Sequence, residues 1–107
     1  MTYEQIASMM EETRLPSAYH HFAEGESPKP PFLLYLSPGE NTFSADNRMY
    51  FSTKKLNIEL YTDVKSPATE NEVEQVLKRY NIYYTKNEVW IASEKMYEVS
   101  DDCLNKL

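Results

Sequence analysis

From Leu56 to Tyr61 the chain alternates: Leu56, Ile58 and Leu60 fall on one side of an extended backbone, and Asn57, Glu59 and Tyr61 on the other. A strand with one apolar face must bury that face against a second layer. Its other face meets water or a partner. The next element supplies the layer. Ser66-Pro67 is a helix start, with serine as N-cap and proline at the first helical position. Glu70 and Glu72 lie in the first turns and Lys78 and Arg79 in the last, as the helix dipole favours. Val73, Val76, Leu77 and Tyr80 make the apolar stripe, Glu74 falls on the opposite face, and Asn81 is placed to cap the end.

A second helix is expected over residues 3–13. Thr2 and Gln5 have capping-box spacing, and Ile6, Met9 and Met10 share one face. Two methionines make an adaptable surface that suits a core or an interface, and the core is the preferred reading. Pro16 stops the helix.

Residues 17–31, with Gly25, Pro28, Pro30 and Pro31, read as a loop. Phe32-Leu33-Leu34-Tyr35-Leu36 is a nearly all-apolar strand with both faces covered. A turn cluster at residues 37–41 and the polar stretch to Asn47 make a long hairpin connection. Residues 48–62 hold two strands or one long bent strand, because no turn residues surround Lys54-Lys55. Ile82-Tyr83-Tyr84 starts a strand, Lys86-Asn87 sits at a turn, and Val89-Trp90-Ile91 and Met96-Tyr97-Glu98-Val99 continue the β pattern. The order α-β-β-β-α-β-β is α+β: a mostly antiparallel sheet with two helices packed on one face. One domain is expected over residues 1–99, with residues 100–107 a frayed tail.

Seventeen acidic residues against eleven basic give a net charge of −6. That balance argues against nucleic-acid binding and against an anionic membrane surface. No apolar run reaches the roughly 20 residues of a membrane helix, and the N-terminus has no basic or apolar leader. Cys103 is the single cysteine, which excludes an internal disulfide and suits a reducing cytoplasm. Nine of the fourteen aromatic residues are tyrosine, a composition that suits large wet interfaces as well as plain β-sheet.

Catalytic patterns are missing. The two glycines, Gly25 and Gly39, lie in different loops, so no glycine-rich phosphate loop forms. Cys103 lies in the last five residues, a poor place for a nucleophile. His20, His21, Glu24 and Glu26 could in principle ligate a divalent metal, but adjacent histidines in an extended loop point apart and the spacing matches no metal motif. The plainer reading is a polar loop with Phe22 as anchor. No enzyme, metal or cofactor is assigned.

Four segments carry a resemblance. They are Leu15-Pro16-Ser17-Ala18-Tyr19-His20-His21-Phe22-Ala23-Glu24-Gly25-Glu26, Pro30-Pro31-Phe32-Leu33-Leu34-Tyr35, Leu56-Asn57-Ile58-Glu59-Leu60-Tyr61-Thr62-Asp63 and Ser93-Glu94-Lys95-Met96-Tyr97-Glu98-Val99. Together they resemble a family of small proteins of prophages and long-tailed phages described as head–tail joining, tail-completion or tail-terminator proteins. The resemblance spans residues 3 to 99 and departs after Val99, where the family continues with a further aromatic–acidic strand.

It implies an α+β subunit of the virion, made in the bacterial cytoplasm. Such subunits assemble into a ring, commonly six-fold, between the tail tube protein and the head connector, and the family brings no catalytic residues. A cyclic ring needs two different patches on each subunit, and Tyr19, Phe22, Phe43 and Tyr61 are the interface candidates. An acidic lining would also let DNA slide past without sticking. The alternative is a small acidic cytoplasmic module that binds a host or phage protein.

Overall fold

Helix α1 (Tyr3–Glu11) begins where the sequence places it. Thr2 and Gln5 cap each other, with Gln5 N–H on Thr2 Oγ1 at 3.1 Å and Thr2 N–H on Gln5 Oε1 at 2.8 Å. Helix α2 (Pro67–Arg79) begins at Ser66, whose Oγ accepts the Thr69 N–H at 3.3 Å. Asn81 ends it in the left-handed region at φ 55°. Asn81 N–H reaches the Lys78 carbonyl and Ile82 N–H the Leu77 carbonyl, both at 3.0 Å, which satisfies two orphan carbonyls. Ile82 is then buried beside Leu77 in the same core.

This computed structural model describes the backbone of residues 2–37, 40–45 and 48–104, and the side chains of 2–37 and 55–104. Its strands are β1 (Ser17–Tyr19), β2 (Phe32–Leu36), β3 (Glu40–Ala45), β4 (Arg48–Lys54), β5 (Leu56–Thr62), β6 (Tyr84–Ile91) and β7 (Met96–Cys103). Five form one sheet in the order β1-β2-β5-β7-β6, antiparallel except for β1 against β2, while β3 and β4 pair with each other. The fold is α+β, with the expected order of elements plus two short strands. Break of pairing at Lys55 separates β4 from β5, so residues 48–62 hold two strands.

The alternation of β5 decides which face is core. Leu56, Ile58 and Leu60 are buried with Leu33 and Tyr35 of β2, Val99 and Cys103 of β7, Ile6, Met9 and Met10 of α1, and Val73, Val76 and Leu77 of α2. Both helices therefore cover one sheet face. The other face carries no helix among the described residues.

Several local expectations are corrected. The 17–31 loop contains β1, because Ser17 to Tyr19 lie parallel to Leu33 to Tyr35 before the chain crosses over through a cis Pro30-Pro31 bond. The long hairpin connection contains β3, paired with β4. Lys86-Asn87 is not a turn. Lys86 lies opposite Asp101 in mid-strand, and the turn falls at residues 92–95, closed by Glu94 N–H on the Ile91 carbonyl and by Lys95 at φ 52°. Lysine is an unusual occupant of that position, so the sequence carries no turn signal there.

Residues 100 to 103 are not frayed either. They extend β7, with Ser100 opposite Glu59, Asp101 opposite Ile58 and Cys103 opposite Leu56. The strand was hidden because an aspartate occupies an inward position, which interrupts the apolar alternation of Tyr97, Val99 and Cys103. Residues 105–107 lie outside the described residues. Tyr80 leaves the apolar stripe of α2: it is 42% exposed, and its hydroxyl donates to Glu12. Glu74 is not fully solvated, for its carboxylate lies 3.2 Å from Lys86 Nζ.

Candidate protein-interaction face

Strand register lays out the sheet face opposite the helices row by row. Phe32, Tyr61, Glu98 and Val89 form one row across β2, β5, β7 and β6. Leu34, Glu59, Ser100 and Asn87 form the next, and Leu36, Asn57, Asp102 and Thr85 the third. The β2 side is apolar, the centre acidic and the β6 side mixed.

Aromatic rings line the apolar side. Phe22, from the crossover loop, meets Phe32 edge-on at 5.5 Å, and Phe32 stacks on Tyr61 at 5.1 Å with planes 21° apart. These geometries are favourable beyond area burial. Phe32 is buried by its neighbours, while Phe22 and Tyr61 stay half-buried. Each thus presents part of a ring held in place from beneath, which lowers the entropy lost when a partner covers it.

The centre is a hydrogen-bonded acidic network. Tyr61 Oη donates to Glu59 Oε1 at 3.2 Å. Burial, then the hydrogen bond and charge of neighbouring Glu98, push the Glu59 carboxyl up to about 7. Burial and the two glutamates also push the Tyr61 phenol up, so it remains a donor. Asn57 Nδ2 donates to Ser100 Oγ at 2.7 Å and to Asp102 Oδ1 at 2.6 Å. Such a face offers acceptors and a removable proton to a partner.

Two of the four interface candidates come together here, Phe22 and Tyr61, through Phe32, which sequence reasoning had placed only as a buried strand residue. Tyr19 lies on the other face, edge-on to Tyr3 at 5.5 Å and to Tyr35 at 5.6 Å, and these three line an open groove of about 300 Å³. Phe43 lies opposite Phe51 in the β3–β4 hairpin, and its side chain is outside the described residues. His20 and His21 do not point apart: His20 takes φ 67°, and the two Nδ1 atoms come within 3.0 Å. Among the described residues no group of three or more His, Cys, Asp or Glu side chains could hold a metal ion.

A second polar cluster, beneath α2, was missed. Glu70 is only 4% exposed and takes Lys65 Nζ at 2.6 Å and Lys86 Nζ at 2.8 Å. Burial alone would raise its carboxyl, but the two lysines outweigh that and hold it low. Lys65 also pairs with Glu88. Asp101 points in from β7, 3% exposed, with no hydrogen-bond partner for Oδ1 among the described residues. Burial, then Glu74, push it up to about 7. The position of Glu70 three residues before Val73 and seven before Leu77 already places it along the apolar stripe. That spacing was the available signal. No protein-family model and no curated protein matches the chain.

Proposed function

We propose that this protein is an assembly subunit of a long-tailed phage, joining the tail tube protein to the head connector by binding other proteins and catalysing no reaction. The observation that carries the reading is the sheet face without a helix among the described residues, where the Phe22–Phe32–Tyr61 rings border the Glu59–Glu98 and Asn57–Ser100–Asp102 networks. Aromatic anchors beside polar groups already held in place are what a specific protein interface needs. The segments that resemble head–tail joining proteins supply much of this face: Phe22 in the first, Phe32 in the second, Tyr61 in the third and Glu98 in the fourth. In a ring, the same face would contact a different patch on the next subunit or on the neighbouring ring.

Particle assembly tests the proposal. Phe22→Ala and Tyr61→Ala are introduced separately into a lysogen lacking the native copy, and each purified variant is melted. At least one is expected to melt near the wild type yet yield few tails joined to heads. Normal particle yield with both variants folded removes the face from the junction. Normal yield with the whole gene deleted removes the virion role, and a host- or phage-protein-binding module takes its place.

A further inference from the structure

Strand β6 closes one side of the five-stranded sheet, and its outer edge pairs with nothing among the described residues. The Tyr83 carbonyl accepts the Leu104 N–H at 2.8 Å, and pairing with β7 runs without a bulge to Ile91 opposite Met96. Main-chain groups alternate in direction along an antiparallel strand. Those of Tyr84, Lys86, Glu88 and Trp90 therefore point away from β7. Unpaired edges are usually guarded by proline, a bulge or charged side chains, lysine above all. Here there is no proline or bulge. Lys86 and Glu88 are drawn over the helix-covered face, to Glu70 and Glu74 and to Lys65, while Val89 is 54% and Trp90 49% exposed.

We propose that the free protein is a two-fold dimer in which β6 of one copy pairs antiparallel with β6 of a second copy, centred on Asn87. The sequence of the strand selects this occupant and this register. Directly opposed residues in an antiparallel pair point to the same face. Under two-fold symmetry the axis must then pass through a residue, never between two. Centring on Lys86 opposes lysine to lysine, and centring on Glu88 opposes glutamate to glutamate, both destabilising.

Centring on Asn87 makes every pair complementary. Lys86 faces Glu88, Tyr84 faces Trp90 and Thr85 faces Val89, each pair occurring twice, with the two Asn87 amides meeting at the axis. The outward main-chain groups of Tyr84, Lys86, Glu88 and Trp90 supply about eight hydrogen bonds across the seam. Glu88 and Lys86 are 41% and 37% exposed even with their present partners. Each can accept one more opposite charge, which links the two ion-pair networks into one. The two sheets become continuous, with the helices of both copies on the same side.

This contact is isologous and closed. It cannot propagate a polar ring, so it describes the protein before assembly and stands apart from the proposed role at the head–tail junction.

Sedimentation equilibrium on the full chain, with cysteine cross-linking, tests the dimer. The wild type is expected at twice the chain mass at micromolar concentration. Asn87→Lys opposes two like charges at the axis, on the face away from the helices, and should weaken self-association by up to about fivefold with an unchanged circular dichroism spectrum. Asn87→Cys should cross-link under mild oxidation, because facing residues at a non-hydrogen-bonded position lie about 4.5 Å apart, within disulfide reach. Thr85→Cys faces Val89 and should not cross-link, nor should the wild type through buried Cys103. A monomeric wild type overturns the proposal. So does a dimer in which Asn87→Cys cross-links no faster than Thr85→Cys.

Discussion

Asn57 and Asp102 lie directly opposite each other on β5 and β7, and the Asn57 amide donates to Asp102 Oδ1 at 2.6 Å. The same nitrogen also reaches Ser100 Oγ at 2.7 Å. Asn57 is only 8% exposed, so its amide depends on partners supplied by residues past Val99. Those residues also place Asp101 against Ile58 and Cys103 against Leu56 at the centre of the sheet.

A chain ending at Val99 should therefore fail to fold, because β5 would lose four of its seven pairs with β7 and two inward side chains. Asp102→Ala is the milder test. It should cost about 1–2 kcal/mol in urea unfolding, the usual effect of leaving a largely buried amide short of an acceptor. A Val99-terminated chain with a native melting transition would show that the end of β7 is dispensable.

Helix α2 rests on Leu77, which is fully buried. Leu77→Ala should cost roughly 2–5 kcal/mol. Glu72, exposed on the same helix, should cost within about 0.5 kcal/mol when changed to alanine. Equal losses, by chemical denaturation, would contradict the packing of the helix.

Where local rules acted alone, the sequence was legible. The Thr2–Gln5 box, the Ser66-Pro67 start, the Asn81 cap and the Leu56–Leu60 alternation all appear in the structure. Misreadings occurred where a tertiary partner overrode the local pattern. Asp101 in an inward position disguised a strand, Lys86 in mid-strand imitated a turn, and Lys95 made a real turn without glycine or asparagine. For the candidate face, Phe22 and Tyr61 were picked out, but 39 positions separate them in sequence. Only the pairing of β2 with β5 reveals that Phe32 joins them.

Cys103 is buried in the core, and burial, then the charges of Asp101 and Asp102, push its thiol up to about 12. Native protein at neutral pH should react with a thiol reagent far more slowly than unfolded protein, since the thiolate is the reactive species. A native rate equal to the rate in urea would place Cys103 outside the core.

Asp101 makes stability depend on pH in the direction opposite to a salt-bridged carboxylate. Its carboxyl is pushed up to about 7 in the folded chain by burial, then by Glu74, with Lys86 opposing and Glu70 and Asp102 adding to the rise. In the unfolded chain it titrates near 4. The folded state therefore holds a proton that the unfolded state has lost between those values, so this group favours folding most at low pH. Its contribution falls as pH rises through about 7 and is lost above it. Asp101→Asn keeps the shape and cannot ionise, so it should raise stability at pH 8 by on the order of 2 kcal/mol and change it little at pH 4. Urea denaturation at the two pH values, wild type beside variant, gives the comparison. Equal effects at both would mean that Asp101 titrates alike in the folded and unfolded chains. In that case Lys86, opposite it on β6, offsets the effect of burial.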